Sequence, residues 1–243
     1  MFTRAKPDPI SYPKRFWKTV SVGQRPEGFA VLLDGRPTRT PAGAPLALPT
    51  RALADRVAAE WEAQGEHLIP PSMPATRLAA TALDRTPQVR AETAAEVARY
   101  AGSDLLCYFA EEPAGLAERE RAAWEPILAW AEAELGLRFE RAAGIVHRPQ
   151  PVETTERVRA LALELDDWRL TALGWGAALY GSAVLALAVQ RGRLSGDAAW
   201  DLARLDEAWQ EEQWGVDEEA AAAEANRRGD ARLLGAWFAA LDA

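Results

Sequence analysis

Few side chains in this sequence could carry covalent chemistry, and their spacing argues against most of it. There are two histidines, His67 and His147, and one cysteine, Cys107. The histidines sit far apart, and neither has a second ligand at helical or loop spacing, so no metal site is expected. His67, between Gly65 and Pro70, reads as a helix-end residue. Ser195-Gly196-Asp197 has the pattern of a helix N-cap. It has no G-x-S-x-G elbow and no histidine nearby, so it does not read as a nucleophile. A triad assembled in space would have only two histidines to draw on as base. Gly174-Trp175-Gly176 lacks the G-x-G-x-x-G spacing, follows no strand and precedes no phosphate-binding lysine, so the glycines read as packing positions.

The densest charged segment runs from Asp206 to Glu224 and contains Asp206, Glu207, Glu211, Glu212, Asp217, Glu218, Glu219 and Glu224. Glu207 and Glu211 are four apart, so on a helix they share a face and repel if both are exposed. Leu202, Leu205 and Trp209 form the neighbouring apolar stripe. A di-metal carboxylate site would add E-x-x-H pairs on facing helices, and none occurs. The segment reads as a solvated acidic face or as a docking face for a basic or polar partner. A catalytic carboxylate pair is the least supported reading. Ten tryptophans are many for 243 residues. Trp61, Trp124, Trp130 and Trp168 fall on apolar stripes and read as core. An exposed minority would suit partner anchoring, since tryptophan is over-represented in binding hot spots.

The elements that must position these groups change character along the chain. From about Arg15 to Leu48 the pattern is β. One apolar run holds Phe16, Trp17, Val20 and Val22, and a second holds Phe29 to Leu33. Arg25-Pro26-Glu27-Gly28 supplies a turn between them, and Asp34-Gly35 is a short-hairpin signal. Pro37, Pro41, Pro45 and Pro49 confine later strands to edges or short pieces. From Thr50 the period becomes helical. Thr50 is a candidate N-cap, Leu53, Val57 and Trp61 form a stripe, and Gly65 is a candidate stop. After Pro70 to Pro74, the spacing predicts helices around Leu78–Leu83, from Thr86-Pro87 to Tyr100, and over Leu116–Leu135 with a kink or restart at Pro126. Asp104 to Phe109 and Leu137 to Phe139 read as short extended pieces. Further helices are expected over Thr155–Leu165, Trp168–Gln190, Ser195–Trp214, Asp217–Arg227 and Ala231–Leu241. The fold class is α+β, with a small β-rich domain over residues 1–72 and a larger helical domain over 73–243.

Composition narrows the function classes. Acidic residues outnumber basic ones, 36 to 28, for a net charge of -8, and no basic stripe appears, which argues against a nucleic-acid partner. One cysteine permits no intrachain disulfide and fits a reducing compartment. The segment from Met1 to Ile10 shows neither a signal-peptide core nor an organelle presequence, so the chain reads as cytoplasmic and bacterial. A mature organellar protein is the alternative. Leu170 to Val189 is free of charge over about the length that spans a bilayer. Its glycines and alanines, and the charged amphipathic helices on either side, favour a buried helix of a bundle over membrane insertion.

Several runs together carry a family resemblance. They are Lys14-Arg15-Phe16-Trp17-Lys18, Leu33-Asp34-Gly35-Arg36-Pro37, Val57 to Gln64, Thr76-Arg77-Leu78-Ala79, Asp104 to Tyr108, Trp124 to Trp130 and Gly181 to Leu185. In order and spacing this chain resembles the F1-ATPase assembly chaperones that bind the alpha subunit of the F1 sector of ATP synthase, over about Lys14 to Gly215. The tail after Glu218 matches poorly. The resemblance implies a two-part protein without catalytic activity or cofactor. Such a protein holds unassembled F1 alpha subunit soluble until a beta subunit replaces it, in the bacterial cytoplasm or the mitochondrial matrix. It gives weight to Trp61, within Ala59-Glu60-Trp61-Glu62, and to Glu207. Glu120 stands where relatives often have glutamine. The expected partner-binding residues are therefore Glu207, Glu211, Trp209 and Trp214, with Trp61 structural and the free protein a monomer. The competing expectations are a membrane-associated assembly factor and an enzyme whose site assembles only in space.

Overall fold

A computed structural model describes residues 12–144, 146–215 and 218–243. The segment before Tyr12, on which the targeting reading rests, and Asp217 of the acidic stretch lie outside the described residues. Strands β1 (Val20–Arg25) and β2 (Gly28–Leu33) pair antiparallel from Val20 opposite Leu33 to Arg25 opposite Gly28. The short strands β3 (Arg36–Pro37) and β4 (Ala47–Leu48) both pair with β2, at its Leu32–Leu33 end and its Phe29–Ala30 end respectively. Asp34 (φ 47°) and Gly35 (φ 77°) both take positive φ, as a tight hairpin turn demands. The Asp34 carboxylate accepts the N–H groups of Lys18 and Thr19, which holds its pKa below the usual carboxylate range. Gly28 sits at φ 132°, and a Cβ there would lie 2.4 Å from the Leu48 carbonyl oxygen.

Helix α1 (Arg51–Glu62) begins where expected, with the Thr50 hydroxyl accepting the Leu53 N–H at 3.2 Å. It ends before Gly65. The Arg15 guanidinium reaches the carbonyls of Glu62 and Gln64, so a distant cation satisfies the helix end. Two more members of the same run are structural. The Glu60 carboxylate accepts the N–H groups of Ala75 and Thr76, both at 2.7 Å, at the start of α2 (Pro74–Asp84). The Gln64 amide oxygen accepts the Ile69 N–H at 2.7 Å.

Helix α3 (Arg90–Gly102) starts later than Thr86-Pro87 suggested. Thr86 opens a single 3-10 turn, and its hydroxyl is turned inward, 2.6 Å from that of Thr171. Helix α4 (Ala114–Leu135) runs through Pro126 without restarting. Trp124, Ile127, Leu128 and Ala131 are all buried around the proline, and the Trp124 indole N–H donates to the Leu202 carbonyl at 3.0 Å. Tertiary packing here outweighs the local cost of one missing backbone donor. The strands β5 (Tyr108–Phe109) and β6 (Ala142–Ala143) pair in parallel. The extended piece expected at Leu137 to Phe139 is therefore buried coil, and the strand follows it.

After α5 (Val152–Leu163), three helix boundaries correct the sequence reading. The charge-free run is two helices, α6 (Asp167–Tyr180) and α7 (Ala183–Gln190). Gly181 takes a left-handed φ of 64°, and the Ser182 hydroxyl caps α7 by accepting the Leu185 N–H at 3.0 Å. Among the described residues no helix is long and apolar enough to cross a membrane. The expected Ser195–Trp214 helix breaks at Arg204 into α8 (Gly196–Ala203) and α9 (Leu205–Trp214). The two final helices are instead one, α10 (Glu218–Leu241), continuous through Gly229. Ion pairs from Arg228 to Asp201 and from Arg232 to Asp197 tie it to α8. The backbones of α8 and α10 meet closely, since a Cβ on Gly196 would lie 1.8 Å from the Ala231 carbonyl oxygen. Gly176 is a packing glycine too, with Leu234 2.7 Å from where its Cβ would be. One core cluster runs from Trp17 beneath the sheet to Leu241 at the end of α10.

Candidate functional site

The break at Arg204 sets the geometry of the acidic helix. Arg204 pairs with Glu211 at 2.7 Å and with Glu224 at 3.3 Å, and its guanidinium lies 6.0 Å from the Trp200 ring centre. Glu211 is thus half-buried in an internal ion pair. It is turned away from the repulsion with Glu207 that helical spacing alone implied. Glu212 pairs with Arg119 of α4 at 2.8 Å. Trp209 is half-buried over α4, with Arg119 5.9 Å from its ring centre. Gly115 makes room for that ring, since a Cβ there would lie 2.9 Å from it. Leu205 is the one buried residue of α9. Two of the expected partner residues face outward. Glu207 is exposed with no ion pair among the described residues, and Trp214 is 79% exposed at the C-terminal end of the helix.

A cleft of about 640 Å³ opens beside Glu207, between α4, the α8–α9 junction and the β5 segment. Glu207, Asp206 and Glu120 border it, with Trp124, Trp200 and Tyr108 among its aromatic lining. Glu120 is only 1% exposed, and its carboxylate accepts the Ala110 N–H at 2.6 Å. Burial pushes its pKa above the usual range, and the nearby Asp206 charge pushes the same way. Sequence reasoning placed neither Glu120 nor Trp200 at a site. The available signal was Leu116, Glu120 and Trp124, a charge set into an apolar stripe at helical spacing.

The groups that could have supported catalysis are dispersed. The His147 ring lies 3.1 Å from the Tyr108 hydroxyl, and His67 pairs through its backbone with Lys14. The Ser195 hydroxyl caps α8, accepting the Ala198 N–H at 3.1 Å. Cys107 is buried, and burial pushes its thiol pKa upward, away from the reactive thiolate. Among the described residues no three His, Cys, Asp or Glu side chains gather as a metal site would require. A larger groove of about 1190 Å³ lies between α2, α3, α6 and the first half of α10. Arg77, Glu92 and Asp230 border it, and no histidine or cysteine does.

Trp61, the residue assigned a structural role, is 9% exposed, and its ring meets that of Trp17 edge-on at 5.1 Å.

Asp104 is the most deeply buried carboxyl, and its role is structural. It accepts the Leu106 N–H at 3.2 Å and the Val184 N–H at 3.1 Å, joining the end of α3 to the start of α7. Burial raises its pKa from 3.8 to about 6. The folded state therefore holds this proton more tightly than the unfolded chain does. The contribution is fully present below the unfolded value and is lost as pH rises through about 6. At 1.36 kcal/mol per pKa unit, the loss is on the order of 3 kcal/mol. Urea unfolding of the wild type and Asp104→Asn should show the wild type's relative stability falling by about that amount between about pH 4 and pH 7. A difference independent of pH would contradict this.

Comparison with known proteins gives this arrangement a context. The family model described as ATP12 chaperone protein matches residues 14–132. The crystal structure of Atp12 from Paracoccus denitrificans is 39% identical, with a TM-score of 0.86 over 94% of this chain and 98% of that one. The chain belongs to the ATP12 chaperone family. A protein from Agrobacterium tumefaciens is 42% identical with a TM-score of 0.88, and the match covers 98% of this chain and 92% of that one. Among curated proteins, the mitochondrial protein atp12 of Schizosaccharomyces pombe is 26% identical over 226 residues, 87% of this chain and 78% of the relative. Similarity to ATP12 structures thus extends well beyond residue 132 and includes the helices that carry the cleft.

Proposed function

We propose that this ATP12 family member is an ATP-independent assembly chaperone. In this reading it binds the unassembled alpha subunit of the F1 sector of ATP synthase and prevents its aggregation. The observation that carries the reading is α9. The helix presents an exposed Glu207, without an ion pair among the described residues, and a 79% exposed Trp214, and its one buried residue is Leu205. An unassembled alpha subunit exposes apolar surface that a beta subunit would cover, and such patches aggregate. A protein that covers the patch shifts the subunit toward its soluble form by mass action, with no nucleotide hydrolysis. Release requires an interface of moderate affinity, and a partly polar helix with one or two aromatic anchors suits that. Trp209 and Glu211, held against α4 and Arg204, set the pose of α9 in addition to any direct contact.

The chain acts in this role as a monomer in the bacterial cytoplasm, or in the mitochondrial matrix if organellar. It uses no cofactor, metal or nucleic acid, and it is not an enzyme. The membrane-associated alternative loses its motive with the charge-free run folded into two buried helices. The deciding experiment is co-expression of the chain with F1 alpha subunit in the absence of beta. The expected result is soluble alpha that co-purifies with the chaperone. Equal aggregation with and without it would overturn the proposal.

A further inference from the structure

Three carboxylates from two elements open onto one cleft, Glu120 on α4 with Asp206 and Glu207 on α9. Two polar groups at this cleft are incompletely paired among the described residues. One Glu120 carboxyl oxygen takes the Ala110 N–H, and no donor among the described residues reaches the other. Trp200 is 2% exposed, and its indole N–H has no acceptor among the described residues. Buried polar groups are normally paired, so the unmet Trp200 donor, beside a carboxylate with one oxygen unbonded among the described residues, marks where a ligand supplies both. The acceptor sits among negative charges and calls for a cation. The donor calls for a carbonyl oxygen. A cationic side chain on a peptide backbone has both.

We propose that this cleft takes one arginine side chain of the partner polypeptide, its guanidinium against Glu120, Asp206 and Glu207 and a carbonyl oxygen of the same segment on the Trp200 indole N–H. The proposal rests on the reading of this protein as a chaperone that grips another chain, and it names the chemistry of the grip. Arginine fits better than lysine because its planar fork serves two carboxylates at once and stacks on aromatic walls such as Tyr108 and Trp124. The protein's own arginines do not fill the place. Arg204 borders the cleft but is held by Glu211 and Glu224. Arg227 is exposed at the rim and forms no ion pair with the three carboxylates. Burial raises the pKa of Glu120, and a cation beside it would favour the charged form and lower that pKa.

The test is a titration of the full chain with N-acetyl-argininamide, followed by NMR at the tryptophan indole N–H resonances. Trp200→Phe identifies the resonance of interest. The expected result is a saturable shift of the Trp200 signal. Binding should weaken at least tenfold for the neutral citrulline analogue and for the Asp206→Asn, Glu207→Gln double variant, and stay unchanged in Glu134→Gln, an exposed carboxylate outside the cleft. No shift, or an equal shift with the citrulline analogue, would overturn the pocket. Equal affinity for N-acetyl-lysinamide would overturn the guanidinium assignment. The two levels of inference separate cleanly. If the chain holds F1 alpha soluble but ignores argininamide, the pocket falls and the chaperone reading stands. If argininamide binds but alpha aggregates, the partner assignment falls and the pocket stands.

Discussion

Glu207→Lys is expected to abolish retention of soluble F1 alpha subunit while leaving the free protein folded. Glu207 is exposed and makes no ion pair among the described residues, so its replacement breaks no ion pair among them. Surface substitutions of this kind shift stability by roughly 0.5 kcal/mol or less. At an interface the same change reverses a charge, and like-charge juxtaposition costs several kcal/mol, on the order of a hundredfold or more in affinity. Alpha co-purifying with the variant should therefore fall to background in a pull-down, with the thermal midpoint within about 2 °C of wild type. Glu207→Gln should fall between the two. Wild-type retention in the lysine variant would remove Glu207 from the interface. A large drop in the midpoint would make it a structural residue instead. Glu211→Ala is the instructive contrast. It releases Arg204 from one of its two partners, so it should lower stability as well as binding.

The second large effect is on the fold itself. Trp61→Arg should leave no cooperatively folded protein. Trp61 is 9% exposed, packs edge-on against Trp17 at 5.1 Å and continues the buried stripe of Leu53 and Val57. Losing a buried tryptophan costs roughly 3–5 kcal/mol. Placing a guanidinium in the same apolar site adds a desolvation penalty of several kcal/mol more. Together these approach the whole stability of a typical domain, roughly 5–15 kcal/mol. The measurement is the urea-unfolding transition by circular dichroism, with the soluble yield beside it. Trp61→Phe should be tolerated at a cost of about 1–2 kcal/mol, because the indole N–H it removes has no acceptor among the described residues. Wild-type stability in the arginine variant would mean the α1 stripe is not core.

Much of the fold was legible because its determinants are local. Thr50 caps α1 from three residues away. Asp34-Gly35 turns the chain through its own backbone preference. The apolar stripes of α1 and α4 are matters of spacing. The misreadings share one cause, which is that the deciding partner lies far along the chain. Pro126 suggests a kink or a restart, yet α4 does not restart there, held by packing and by a bond from Trp124 to Leu202, 78 residues on. The Trp168–Gln190 helix was read as continuous. It divides at Gly181-Ser182, where Asp104, 80 residues earlier, takes the Val184 N–H. The spacing predicts separate helices ending at Arg227 and starting at Ala231, and α10 is continuous between them because Arg228 and Arg232 reach α8.

The site divides along the same line. Sequence alone determined that acids and tryptophans crowd one helix, that no metal or nucleotide motif competes with them, and that Trp61 belongs to a core stripe. Those are properties of residue type and of spacing within a few turns. Only the tertiary structure decided which acids are free. Arg119 neutralises Glu212 from 93 residues away, and Arg204 takes Glu211, so Glu207 is left facing outward beside a cleft. It also placed Glu120 and Trp200 at that cleft, both buried, with one Glu120 oxygen on the Ala110 N–H and the Trp200 N–H without an acceptor among the described residues. Charge is written residue by residue, but whether a charge is spent inside the protein or offered to another depends on what folding brings within a few ångströms of it.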